Sequence, residues 1–248
     1  FNHSNALMIF HSGSAMLGDL TLSDNTKYLT EELLEAKKGL DKMLLSSELV
    51  CPIGIHYSHS SLFAGRATLG ANIWPGALDS WSAIINDLGL NFKFVSYNQL
   101  EEGIDKNQYK VFVLPVSLSL SDKEIASLRK YVSSGGVLIA DYGVGIYNEH
   151  GEKRSNKLLN ELFGISREES SEIVLSGSGI KIGNAKIEGL EDREMKLRFG
   201  EKGLKLTTSK AYGYTGDTKA PAVIINKFGR GKTILLNSVI NDYAQVTL

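Results

Sequence analysis

A run of hydroxyl and imidazole side chains stands at His56–Ser61, in the order His-Tyr-Ser-His-Ser-Ser. Serine beside histidine is the pair from which hydrolases build a nucleophile and its general base. Adjacent residues of a strand point to opposite faces, however, and adjacency supplies neither hydrogen-bond reach nor an orienting partner. The pattern therefore favours capping and turn formation, and it leaves a ligand pocket or a Ser/His hydrolase as alternatives. The candidate pocket residues are Ser58, His59, Ser60, Asp141 and Tyr142.

A thiol nucleophile of the class I glutamine amidotransferase type is missing from the place where it would have to stand. Such an enzyme carries its cysteine on a tight strand-to-helix turn, with a histidine within reach. The strand predicted at 137–140 is followed by Asp141–Gly145, which contains neither Cys nor Ser. The single cysteine, Cys51, precedes Pro52 at the start of another strand, and no histidine follows His150. We therefore expect no catalytic residue at this turn.

Three other kinds of site lack the spacing that they need. The five histidines show no zinc-ligand pattern. Asp141 and Glu149 could be paired carboxylates for glycoside cleavage, but one follows a predicted strand and the other lies in a predicted turn. Both are expected to be solvated loop residues. The glycine-bearing segments 176–179 and 228–231 lie between predicted strands, so neither is a phosphate loop. We expect no metal and no cofactor.

The composition of the chain bears on which partners it could bind and in which compartment it could fold. The chain has 27 Lys and Arg residues and 28 Asp and Glu residues, and its basic residues form no cluster in the sequence. We therefore expect no basic surface for binding nucleic acid or an anionic membrane. No apolar run approaches the roughly 18–20 residues that span a bilayer. A single cysteine slightly favours the cytoplasm but does not exclude a secreted or periplasmic protein. The chain begins at Phe1, so we expect a fragment whose targeting signal is lost, and localisation stays unknown.

The candidate pocket residues lie within a stretch of the sequence in which predicted strands and helices alternate. Strands are predicted at 53–57, 90–94, 110–115 and 137–140. Helices are predicted at 77–88, 121–132 and 155–163, the second opened by the capping box Ser121–Glu124. Such alternation predicts an α/β fold with a mainly parallel sheet and helices on both faces. The flavodoxin-like strand order 2-1-3-4-5 is the natural expectation.

The two ends of the chain depart from this alternation. A helix is predicted over about 24–45, capped by Ser23 or Asp24. After Gly164 short strand-like segments follow, and two apolar runs around Phe228–Gly231 predict a hairpin that extends the sheet along one edge. The predicted domains are a leading segment, an α/β core and a C-terminal antiparallel β extension returning to the sheet. Their boundaries are 1–48, 49–165 and 166–248.

Three stretches of the chain resemble the trimerisation domain of family-42-type β-galactosidases. They are 55–62, 221–243 and 109–151, the last reading YKVFVLPVSLSLSDKEIASLRKYVSSGGVLIADYGVGIYNEHG. The resemblance implies a class I amidotransferase-like three-layer sandwich that usually lacks the amidotransferase nucleophile. Residues 1–48 would then be the tail of an upstream catalytic barrel and a linking helix. A (β/α)₈ barrel needs about 250 residues, so it cannot lie within this chain.

The resemblance implies a non-catalytic structural or oligomerisation domain of a larger glycoside hydrolase. Its partners would be the upstream barrel of the same polypeptide and further copies of itself, with a trimer implied, and the parent enzyme would act on a carbohydrate. The contact surface is expected at Trp74 and the loop 58–76, whereas Trp81 is expected in the core. The alternative is an independent module that binds a small molecule or a sugar.

Overall fold

The computed structural model describes residues 17–19, 21–39, 42–43, 50–154, 157–167, 173–175, 179–181, 194–196, 199–215, 219–241 and 243. The chain divides into two compact units, residues 1–50 and residues 51–248. We call them unit 1 and unit 2. The sequence also predicts one short strand at 6–10, which lies outside the described residues. Among the helices in these ranges, none is both long and apolar enough to cross a membrane.

Unit 1 contains the helix α1, Asp24–Ala36. The Ser23 hydroxyl accepts a hydrogen bond from the backbone N–H of Thr26 at 3.4 Å, so the predicted cap is confirmed. The helix predicted over about 24–45 is interrupted, since residues 42–43 are again helical after a turn. A turn at 37–39 ends α1, where Gly39 adopts a φ of +138° that a continuous helix does not allow.

Unit 2 contains the predicted alternation of helices and strands. Its helices are α2 His59–Thr68, α3 Ile73–Asp87, α4 Tyr97–Glu102, α5 Asp122–Ser134 and α6 Lys157–Phe163. Its strands are β1 Ile53–Tyr57, β2 Phe92–Ser96, β3 Val111–Leu114, β4 Val137–Ala140, β5 Ile165–Arg167, β6 Ile173–Leu175, β7 Gly179–Lys181, β8 Glu194–Lys196, β9 Phe199–Glu201, β10 Leu204–Leu206, β11 Lys210–Thr215, β12 Pro221–Phe228 and β13 Gly231–Leu236.

The strands of the main sheet follow the order β2-β1-β3-β4-β13-β12-β11-β7-β8 in the described part of the chain. From β2 to β13 every neighbouring pair is parallel, which confirms the predicted order 2-1-3-4-5. The fifth strand is β13, the second strand of the predicted C-terminal hairpin. From β13 to β8 the pairs are antiparallel, as predicted for the extension. The strands β5 and β10, and β6 and β9, form two small separate sheets.

Apolar side chains fill both faces of the parallel strands and make the unit three-layered. The alternation of β3 illustrates this, because Phe112 and Leu114 face one layer and Val113 faces the other. Helices α4, α5 and α6 cover the first face, through buried residues that include Leu100, Leu128 and Leu162. Helix α3 covers the second face, through residues that include Ala77, Trp81 and Ile85.

Two helices depart from the sequence prediction. Residues 59–68 form α2 rather than a loop, and its buried positions are Ser61 and Gly65. The buried face of this helix therefore lacks the apolar residues at helical spacing from which a helix is predicted. Trp74 packs against Gly65 and is only 4% exposed, so its expected place on a contact surface is wrong. Trp81 lies in the core as predicted. Helix α4 was missed because its six residues are too few for a periodic signal.

Candidate functional site

The carboxyl ends of three adjacent parallel strands meet at one edge of the sheet. In the strand order, β1 lies beside β3 and β3 lies beside β4. His56 near the end of β1, the loop 115–121 after β3 and Asp141 after β4 therefore come close together. Open α/β sheets bind their ligands at this edge.

His56 lies at the centre of a buried hydrogen-bonded chain. Its Nδ1 is 2.9 Å from the hydroxyl of Ser117, and its Nε2 is 2.9 Å from the Glu124 Oε1. The other carboxylate oxygen of Glu124 accepts the backbone N–H of Ser121 at 2.6 Å, within the predicted capping box. Because a carboxylate can only accept, Nε2 donates and Nδ1 is left to interact with the hydroxyl.

This connectivity is that of a nucleophile, a base and an orienting carboxylate. Its surroundings do not suit that chemistry. Ser117 and His56 are each 1% exposed and Glu124 is 2% exposed, so the three groups face protein atoms rather than solvent. The chain joins β1, the loop after β3 and the first turn of α5. In this arrangement it holds the strand ends together.

Asp141 forms a second buried polar contact at the same edge. Its carboxyl oxygens accept the backbone N–H of Val116 at 2.5 Å and the indole N–H of Trp81 at 3.2 Å. Burial raises the pKa of Asp141 to about 8. The expectation of a solvated loop carboxylate is therefore wrong for Asp141, because the residue is fully buried. Glu149 does lie in an exposed turn, as predicted.

Ser58 and Ser60 belong to the first turn of α2. The Ser58 hydroxyl accepts the backbone N–H of Ser61 at 3.2 Å and lies 2.9 Å from the Ser60 hydroxyl. The capping role predicted for this cluster is thereby confirmed for Ser58. The His59 side chain is exposed, and its ring stands edge-on to Tyr57 with the centroids 5.4 Å apart.

Tyr142 completes the set of predicted pocket residues. It is buried against Phe199, with ring centroids 6.1 Å apart, and burial raises the pKa of its hydroxyl. The hydrogen bonds of Asp141 run to α3 and to the loop after β3, whereas those of Ser58 stay within α2. Among the described residues no hydrogen bond joins the two sets. A ligand pocket built from Ser58, His59, Ser60, Asp141 and Tyr142 stays a prediction.

Ser117 and Glu124 were not among the candidates drawn from the sequence. The signal for Glu124 was present, because the capping box and the strand order 2-1-3-4 together bring the start of α5 near the end of β1. Glu124 and His56 are 68 positions apart, so only the sheet topology unites them. Within the described ranges, no group of three or more His, Cys, Asp or Glu side chains is placed to hold a metal ion.

Three solved structures with a similar fold are longer than the present chain. The GH42 β-galactosidase Gan42B from G. stearothermophilus, as a catalytic mutant, matches 98% of this chain and 36% of its own length, with 19% identity and a TM-score of 0.77. The cold-adapted β-galactosidase from Rahnella sp. R3 matches 93% and 34%, with 19% identity and a TM-score of 0.78. The exo-β-1,4-mannosidase Op5Man5 from Opitutaceae bacterium strain TAV5 matches 94% and 38%, with 10% identity and a TM-score of 0.65.

At such identities the likeness shows the fold alone, and the chain spans about a third of each of these proteins. The sequence also matches a family model described as the β-galactosidase trimerisation domain, over residues 54–248. Apart from Ile53, the first residue of β1, that match includes the parallel strands of unit 2 and the site at their carboxyl edge. Because the match extends over most of its length, the chain belongs to the family of β-galactosidase trimerisation domains.

Proposed function

We propose that this chain is a non-catalytic, self-associating domain of a larger glycoside hydrolase of the β-galactosidase type. The family match over residues 54–248 carries the proposal. The solved relatives are about three times as long as the matched region, which leaves room in such proteins for a catalytic barrel. A carbohydrate would be the substrate of that barrel. One of the similar structures is a mannosidase, so the comparisons do not identify which sugar the parent enzyme would cleave.

The chemistry of the strand ends supports a scaffolding role. His56 and Glu124 are bonded to each other, and Asp141 is bonded to Trp81 and Val116. These contacts occupy the edge where an α/β enzyme would bind its ligand. Polar groups that are buried and paired in this way stabilise one arrangement of the chain, whereas a catalytic group must reach its substrate.

Unit 1 is proposed to continue into the upstream barrel. Helix α1 exposes Tyr28 by 71%, Leu34 by 57% and Leu33 by 41%. A helix in an ordinary soluble unit covers its apolar stripe. Residues 1–48 would therefore pack against a catalytic barrel of the same polypeptide, with α1 as the linking helix.

The mass of the 248-residue chain in solution tests the self-association. Sedimentation velocity over about 1–100 μM should give a species of three times the chain mass of 27.1 kDa. The chain alone should not hydrolyse a chromogenic β-galactoside, whereas the longer parent protein should. A chain that stays monomeric over this range, with a parent that is monomeric as well, overturns the proposal.

The alternative function is a small-molecule or sugar-binding module at the predicted pocket. The exposed His59 ring favours it, because this ring is accessible beside the Ser58 turn. Calorimetric titration of the chain with galactose and lactose tests it. Saturable binding that is lost in a Ser58→Ala, His59→Ala double variant would favour this function over a scaffold.

A further inference from the structure

Large apolar side chains are exposed at one corner of unit 2, where strand β2 and the first turn of helix α2 both contact Tyr57 of β1. Phe63 is 64% exposed on α2, and Phe94 is 49% exposed on β2. Leu88 and Leu90, which lead into β2, are 67% and 42% exposed. Among the described strands β2 pairs only with β1, so it is an edge of the sheet. An apolar sheet edge of this kind is a site for contact with another chain.

The rings at this corner form a continuous row. Phe92 and Phe94 have centroids 5.4 Å apart, because alternate residues of a strand share a face. Phe94 lies 6.1 Å from Tyr57, and Tyr57 lies 5.4 Å from His59. We call Tyr57, His59, Phe63, Phe92 and Phe94 the aromatic corner.

The aromatic corner is connected to the core and includes a further ring on α2. Tyr57 also contacts the buried Trp74, with centroids 5.3 Å apart, so the row is anchored on the core. Phe63 follows His59 by four positions and lies on the same face of α2. A ring that packs against the core loses less conformational entropy on association than a free side chain does, and aromatic residues are frequent anchors of interfaces.

The geometry of the rings favours a protein partner. The contacts within the row have interplanar angles of 68–82°, so neighbouring rings stand edge-on. The corner therefore presents ridges that interdigitate with side chains, and not a flat face on which a planar ligand would lie. Lys93 is exposed on β2, and a lysine on an edge strand opposes open-ended strand pairing.

We propose that the aromatic corner is a surface through which one copy of this chain binds another. The inference rests on the proposed self-association, since the corner lies within the region matched by the trimerisation-domain family. In a closed trimer each interface is heterologous, so the corner of one copy contacts a different surface of the next copy. A stable interface of this kind buries about 800 Å² on each side around an apolar centre.

A double variant, Phe63→Asp with Phe94→Asp, tests the surface. Each charge would be buried without a partner in the complex, whereas both side chains are exposed in the single copy. Sedimentation equilibrium of the 248-residue chain should show association weakened by at least about 30-fold, with an unchanged far-ultraviolet circular dichroism spectrum. Leu158→Asp is the matched control, because Leu158 is 55% exposed on α6, which covers the other face of the sheet. It should leave association unchanged.

A second measurement keeps the test decisive if the double variant folds poorly. Hydrogen exchange of the wild-type chain should show that amides of β2 and α2 become protected as concentration rises. Phe63→Asp alone should remove that protection. If the wild type associates and the variants associate equally well, the aromatic corner is not the interface although the proposed function stands. A monomeric wild-type chain together with a monomeric parent protein overturns both proposals, and protection seen only in the parent protein assigns the corner to the barrel instead.

Discussion

Burying a histidine beside a glutamate costs folding free energy unless their polar atoms are all paired. At the carboxyl edge of the sheet the pairing is nearly complete. His56 contacts Ser117 and Glu124, and the second oxygen of Glu124 accepts the Ser121 N–H. One buried hydroxyl nearby, that of Ser119, has no hydrogen-bond partner. At the scale of single residues, these buried polar side chains act as connections between β1, the loop after β3 and α5.

Glu124→Ala should lower the free energy of unfolding by about 2–4 kcal/mol. The substitution removes half of a capping box and leaves the Nε2 of His56 buried without a partner. Glu124→Gln should cost much less, because its amide can bond both the imidazole and the Ser121 N–H after a change of tautomer. Urea unfolding of the two variants measures the difference. Equal losses would mean that the hydrogen bonds contribute little.

Asp141 should make the chain less stable as pH rises. Its pKa is about 8 in the folded state and about 4 in the unfolded state, so between these values only the folded state holds the proton. The contribution of Asp141 to the free energy of unfolding is therefore fully present below about pH 4, falls as pH rises towards 8 and is level above that. Urea unfolding at pH 5.0 and 7.5 should show a larger fall for the wild type than for Asp141→Asn, which cannot titrate. Parallel changes in both proteins would contradict the prediction.

At the scale of elements, the C-terminal hairpin is docked against the end of α5. The turn between β12 and β13 contains Gly229 with a φ of +60°, and a Cβ there would lie 2.6 Å from the Cα of Ser133. A Cβ on Gly231 would overlap the backbone carbonyls of Val132 and Gly136. The close approach lets β13 pair with β4 in register, with Ile234 opposite Ile139. Glycine is required here because backbone atoms cannot rotate out of the way.

Gly231→Ala should therefore destabilise the chain by about 2–3 kcal/mol through overpacking against backbone atoms. Gly65→Ala is the matched control. Gly65 lies inside α2, and its Cβ would meet only Trp74, at an ordinary 3.4 Å. Alanine should stabilise that helix by about 0.5–1 kcal/mol. Thermal unfolding of both variants should thus show shifts of opposite sign, and a shared sign would refute the docking geometry.

At the scale of the whole molecule, the proposed function depends on the exposed surfaces of unit 2 more than on its interior. The parallel strands are covered on both faces by helices, and β2 is the outer strand at which we propose association. The family match and the aromatic corner both concern unit 2. The activity of the parent enzyme would come from residues outside this chain.

The melting temperature of the chain should rise with its concentration if it self-associates. Binding that occurs only in the folded state stabilises that state by mass action. Differential scanning calorimetry at about 5 μM and 200 μM should detect an upward shift in the wild type. The Phe63→Asp, Phe94→Asp double variant should melt at the same temperature at both concentrations. A wild type without a concentration dependence contradicts self-association in this range.

The parallel core was largely predictable from local patterns. Apolar runs bounded by turn residues identified β1, β3 and β4, and the Ser121–Glu124 box identified the start of α5. Helix α2 was not predictable in this way, since its buried face consists of Ser61 and Gly65. The helix α2 is stabilised by its Ser58 cap and by the packing of Trp74 against Gly65, and not by an apolar stripe of its own. Its buried face of small residues is therefore recognisable only in the tertiary structure.

By itself, the sequence determined the α/β class, the hairpin and the lack of a nucleophile at Asp141–Gly145, because each of these depends on residues that are close along the chain. Tertiary structure alone decided the rest. It brought Ser117 and Glu124 to His56, buried Asp141 against Trp81, and gathered the rings of the aromatic corner from β1, β2 and α2. Those contacts join residues that are distant in sequence, and which of them meet depends on strand order, packing and burial together.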